Sequence, residues 1–73
     1  MQQELDKIAE AVKAERKKQN YSLYYASKLC DFRSNSGIKR LESGADCRIS
    51  SLLRVTKYLD IEFIIKNGNI EIK

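Results

Sequence analysis

At 73 residues the chain suffices for one small domain, and with 42% hydrophobic residues it is too apolar for a disordered tail. Its formal charge of +4 and pI near 9.2 favour an anionic partner, while ten acidic residues among fourteen basic ones argue against a purely electrostatic arm. With no histidine, the commonest general base and metal ligand are missing, so neither an enzyme nor a metal or cofactor is expected. No run approaches a membrane span and no signal-peptide core opens the chain, so a cytoplasmic protein is expected. In that setting Cys30 and Cys47 are expected as free thiols.

Residues 5 to about 19 carry Leu5, Ile8, Ala9 and Val12 at helical spacing, which predicts a first helix with one buried face. It ends in Arg16, Lys17 and Lys18, cations suited to the negative end of the helix dipole. Asn20 breaks the pattern and Ser22 is the predicted N-cap of a second helix, with Tyr21 and Ala26 spaced as a hydrophobic staple. That helix runs to about Cys30. Its inward residues are either Ala26 with Cys30, or Tyr25, Ala26 and Leu29; the Ser22 cap favours the first phase. Asp31, Phe32 and Arg33 form a turn with Phe32 as its apolar anchor.

Residues 34–44 read Ser-Asn-Ser-Gly-Ile-Lys-Arg-Leu-Glu-Ser-Gly. Ser34 as N-cap, Ile38 and Leu41 as an apolar stripe and Gly44 as a stop predict a short helix of about ten residues. Its other face carries Asn35, Ser36, Lys39 and Arg40, all hydrogen-bonding or cationic. Gly37 in its first turn costs about 1 kcal/mol relative to alanine, which implies a close approach of the backbone or an irregular turn.

A loop over residues 45–48 leads to a fourth helix carried by Ile49, Leu52, Leu53, Val55, Thr56 and Leu59. The tail then changes period. Asn67-Gly68 between two alternating apolar runs predicts a β-hairpin with a type I′ turn. A two-residue turn pairs Lys66 with Asn69, Ile65 with Ile70, Ile64 with Glu71, Phe63 with Ile72 and Glu62 with Lys73. One face is then wholly apolar, and a lone hairpin needs a surface against it. Either the chain's own helices or the hairpin of a second copy can serve; the second is favoured because the helices already account for a small core.

Four short helices with a tight turn between the second and third fit a helix-turn-helix module. Three features go further: Arg16 six residues before the Ser22 cap, the segment Ile38-Lys39-Arg40-Leu41-Glu42-Ser43-Gly44, and the run from Leu52 to Ile61. In this order and spacing the chain resembles the Cro and phage-repressor helix-turn-helix family over roughly residues 8–61. The resemblance implies a mostly α, four- to five-helix repressor-like domain over residues 1–61, with residues 62–73 as a C-terminal β-hairpin that dimerises. It also implies an ion pair between Arg16 and Glu42. The chain departs from the family pattern in three places. The turn is longer, with Asp31 where glycine is usual; Gly37 opens the third helix; and Ala26 and Ser27 are small.

The function so implied is a transcriptional repressor, a homodimer reading an inverted repeat in double-stranded DNA through the helix at 35–43, in the cytoplasm on the nucleoid. Base edges would meet Ser34, Asn35, Ser36 and Arg40. Asparagine makes a bidentate contact to adenine and arginine to guanine, each worth about 1–3 kcal/mol of discrimination. Phosphates would meet Ser22 and Leu23 at the start of the second helix, together with Lys28, Arg33, Lys39 and Arg48. Phe63, Ile64, Ile65, Ile70 and Ile72 would form the dimer interface. The family's antitoxins supply a second reading, in which the chain binds a toxin protein as well as DNA.

Overall fold

The computed structural model describes residues 2–72. It holds four helices, α1 (Gln2–Lys18), α2 (Leu23–Leu29), α3 (Ser36–Glu42) and α4 (Ile49–Tyr58), then an antiparallel pair, β1 (Phe63–Lys66) and β2 (Asn69–Ile72). The fold is therefore mostly helical with a C-terminal hairpin. None of these helices is long and apolar enough to cross a membrane.

All four helices stop in the same way. Asn20, Asp31, Gly44 and Asp60 follow the helix caps with φ of 60°, 62°, 79° and 58°. This left-handed step turns the next N–H back onto the helix: Tyr21 N donates to Arg16 O, Phe32 to Ser27, Ala45 to Arg40 and Ile61 to Thr56. These bonds satisfy carbonyls that a helix end leaves free. Of the donating residues, Ile61 is buried in the core and Tyr21 and Phe32 pack against it. Asp31 thus does the work expected of a glycine, since asparagine and aspartate tolerate this conformation better than other side-chain-bearing residues.

The core gathers one face of each helix: Ile8 and Val12, Ala26 and Cys30, Ile38 and Leu41, and Leu52, Val55 and Leu59, closed by Ile61 and Ile70. In α1, Leu5 is only half-buried. In α2, Ala26 and Cys30 face inward while Tyr25 is half exposed, so the phase set by the Ser22 cap is the one adopted; the Ser22 hydroxyl accepts from Tyr25 N at 3.0 Å. Ser27 is also buried, and its hydroxyl has no partner among the described residues.

Three expectations need correction. The third helix is shorter than expected and is not capped by Ser34: Asn35 holds the cap position without a side-chain bond, and the Ser34 and Ser36 hydroxyls bond each other instead. In α4, Ile49 and Leu53 are 67% and 61% exposed, so only Leu52, Val55 and Leu59 serve the core and Thr56 is half-buried. In the hairpin, Ile70 is 3% exposed within the chain's own core, with Phe63 half-buried against that core and Lys7 Nζ donating to Ile70 O at 3.4 Å. Ile70 is therefore spent within the subunit, not held for a second copy. Ile64 is half-buried, while Ile65 and Ile72 remain exposed.

The hairpin register over Phe63↔Ile72, Ile64↔Glu71, Ile65↔Ile70 and Lys66↔Asn69 is the one the turn specifies. Both turn residues are left-handed, Asn67 at φ 53° and Gly68 at φ 77°, as a type I′ turn requires. The expected Glu62–Lys73 pair lies outside the described residues.

Gly37 has a clear cause. The Phe32 ring from the α2–α3 turn lies so close that a Cβ at 37 would sit 2.8 Å from its Cδ1 atom. Alanine in place of glycine normally stabilises a helix by about 1 kcal/mol. Here the overlap outweighs that gain, because a half-buried ring cannot swing aside without leaving the core. Gly37→Ala should lower the urea midpoint and cost about 1–2 kcal/mol; a gain in stability would contradict the packing.

Candidate functional site

The α2–α3 region is built from two short helices of seven residues each, too short to hold their own shape in water. Neighbours fix them. Arg16 on α1 reaches α3 with a bidentate pair, Nε to Glu42 Oε2 at 2.7 Å and Nη2 to Glu42 Oε1 at 3.0 Å. Its Nη1 donates to Tyr21 O at 2.9 Å, so one guanidinium clamps α3 and the start of α2 to α1. Both side chains are largely buried, at 13% and 7% exposure, which limits solvent screening. The hydrogen bond to Glu42 holds the Arg16 guanidinium above its ordinary pKa against the opposing effect of burial, so it stays charged throughout the working range.

The other end of α1 meets the exit of α3. Gln2 Nε2 donates to Gly44 O at 3.0 Å and to Asp6 Oδ1 at 2.9 Å. Asp6 leaves no room for a side chain on Gly44, where a Cβ would approach its Oδ1 to 2.6 Å. The Phe32 ring meets two elements: Gly37 of α3 lies against it, and the Arg54 guanidinium of α4 sits 5.7 Å from its centroid. Arg54 Nη1 also donates to Asp31 O at 3.3 Å, tying α4 to the turn.

Held in this way, α3 turns Ile38 and Leu41 inward and leaves Ser36, Lys39 and Arg40 exposed, with exposed Ser34 and Arg33 just before them. Asn35 is half-buried at the cap. Arg40 Nη2 donates to Asp46 O at 3.2 Å, which steadies the side chain and leaves most of its guanidinium donors free. Arg40 and Arg48 are brought together with Gly37, Asp46, Cys47 and Ser51 around an open cleft of about 640 Å³. Lys28 stands apart on α2, its ammonium 5.4 Å from the Tyr24 ring centroid. Ser22 is exposed but its hydroxyl already caps α2, and the Leu23 side chain packs against the core.

The cysteines are free thiols. Burial raises the Cys30 pKa; for Cys47, burial and then the Asp46 charge raise it, with Arg40 acting oppositely. Among the described residues no group of three or more His, Cys, Asp or Glu is placed to hold a metal ion.

Sequence reasoning missed the Asp46 carbonyl that steadies Arg40, the Gln2–Gly44 contact, and the Arg54–Phe32 stack. Only the last left a sign, in the pairing of an apolar turn residue with a glycine five positions on. In comparisons with protein-family models, curated proteins and solved structures, nothing matches the chain.

Two outcomes follow from this geometry. A double-mutant cycle over Arg16→Ala and Glu42→Ala, read by urea denaturation, should give a coupling of about 1.5–3 kcal/mol; a value near zero would make the pair a solvated surface contact. Thiol alkylation followed by mass spectrometry should show native Cys30 unreactive and Cys47 slower than a free cysteine, both reacting fully in denaturant. Because the folded thiols hold their protons more tightly than unfolded ones, their contribution is intact below about pH 8.5 and stability falls as pH rises above it.

Proposed function

We propose that this chain is a sequence-reading double-stranded DNA-binding regulator, a transcriptional repressor that acts as a homodimer on an inverted repeat. In this reading α2 and α3 form a helix-turn-helix unit, α3 lies in the major groove and α2 crosses the backbone. The observation that carries it is the outer face of α3. Ser36, Lys39 and Arg40 are exposed on a helix whose opposite face is buried and whose exit is clamped by Arg16 through Glu42.

The roles divide by reach and chemistry. Arg40, steadied by the Asp46 carbonyl, presents a planar fork suited to guanine O6 and N7. Asn35 at the cap suits adenine, and the Ser34 and Ser36 hydroxyls accept or donate as the base edge requires. Lys39 and Lys28 offer point charges to phosphate, Arg33 and Arg48 offer guanidinium forks, and the backbone at Leu23 adds an N–H donor. Phosphate contacts set the register and supply most of the affinity, while the few base contacts choose the site.

Selection from a random duplex pool should enrich an inverted repeat with half-sites one helical turn apart, about 34 Å. Arg40→Ala should relax preference at one base pair in each half-site by about 1–3 kcal/mol. Lys39→Ala should instead weaken all sequences alike and reduce the salt slope by about one. A pool that shows no enrichment over salt-sensitive background would remove specific readout.

A further inference from the structure

The outer face of α4 is the largest feature that the core and the α3 face leave unexplained. Ile49 and Leu53 project from it at 67% and 61% exposure, and Ile65 of β1, 63% exposed, lines a hollow together with Leu53. Leu53 lies between two hollows. One, of about 370 Å³, runs between α4 and β1 over Leu52, Ile61, Phe63 and Ile65, with Lys57 and Glu62 also lining it. The other, of about 190 Å³, is framed by Asp31, Arg54, Lys57 and Tyr58.

A ridge beside a groove on the same helix is a surface that can pack against its own copy. Helices meet by setting the side-chain ridge of one into the groove of the other, and a two-fold axis makes both insertions identical. The charges fit the same occupant. The chain as a whole is +4, yet this face balances Arg54 and Lys57 against Asp31 and Glu62. A like copy offers both signs of charge to this face, Lys57 and Glu62 among them, whereas a strongly acidic or basic partner would meet one repulsive pair for every attractive one.

We infer that the α4–β1 face is the homodimer interface, with Leu53 of each chain seated in the α4–β1 groove of a second copy. The inference rests on the homodimer reading above. It places the contact on α4 and β1, where Leu53 and Ile65 are exposed, and not on Ile70, which is buried in the chain's own core. It also gives the interface a mechanical role. Arg54 on this helix bonds Asp31 O and stacks on Phe32, and Phe32 packs on Gly37 of α3. Two copies joined through α4 therefore fix their α3 helices relative to each other through one short chain of contacts.

Sedimentation equilibrium of the full chain without DNA tests this. The wild type should be dimeric at about 100 µM, and Leu53→Arg should be at least tenfold weaker in self-association. Its circular dichroism should be unchanged, because Leu53 is exposed. Lys57→Glu should weaken the dimer, and Lys57→Glu combined with Glu62→Lys should restore it. A wild type that stays monomeric, or a Leu53→Arg chain that associates as the wild type does, overturns the assignment. A monomer that still selects a DNA sequence would remove this interface and leave the readout standing. A Leu53-dependent dimer that selects no sequence would leave the interface and remove the readout.

Discussion

The arrangement of this fold depends on the guanidinium of Arg16. From the body of α1 it touches both the exit of α3 and the entry to α2, through Glu42 and the Tyr21 carbonyl. Helices of seven residues carry little stability of their own, so their directions are set by what holds them. Burial of Ile38 and Leu41 fixes which face of α3 points inward. The bidentate pair adds direction, because a planar fork meeting a carboxylate tolerates little rotation. A lysine at position 16 would keep the charge and lose that constraint.

The hairpin was the most legible part of the sequence, because a type I′ turn demands two left-handed residues and Asn67-Gly68 supplies them, which fixes the four pairs from Lys66↔Asn69 to Phe63↔Ile72. The positions of the helix ends were legible to within a residue or two, but the left-handed step that makes them was legible only at glycine. Asn20, Asp31 and Asp60 adopt the same left-handed step as Gly44, but nothing local separates such an aspartate from one in an ordinary loop. The start of α3 was misplaced for a related reason. The Ser34 hydroxyl does accept the first helical N–H, that of Ser36 at 3.4 Å, but from one position before the cap, which Asn35 holds.

Helical spacing also overstated the core. Ile49 and Leu53 share the period of Leu52, Val55 and Leu59, yet the first two face outward. Periodicity identifies an apolar stripe; it does not say whether the chain's own core or another surface covers it. For the α3 face, the exposed residues were readable from Ile38 and Leu41 alone, since those two fix the helix phase. The groups that hold this face still were not readable. The Asp46 carbonyl on Arg40 and the Arg54 guanidinium on Phe32 depend on how distant elements meet.

Phe32 contacts both Gly37 of α3 and Arg54 of α4, so the proposed DNA face and the proposed dimer face share one set of contacts. The central claim is that the outer face of α3 is where DNA lies. Backbone amide NMR during titration with a short duplex addresses that claim residue by residue. The account predicts that the largest shifts fall over residues 34–40 and around Leu23 at the start of α2, with α1 little changed. Shifts centred on the lysines of α1 or on the outer face of α4, with residues 34–40 unmoved, would contradict it.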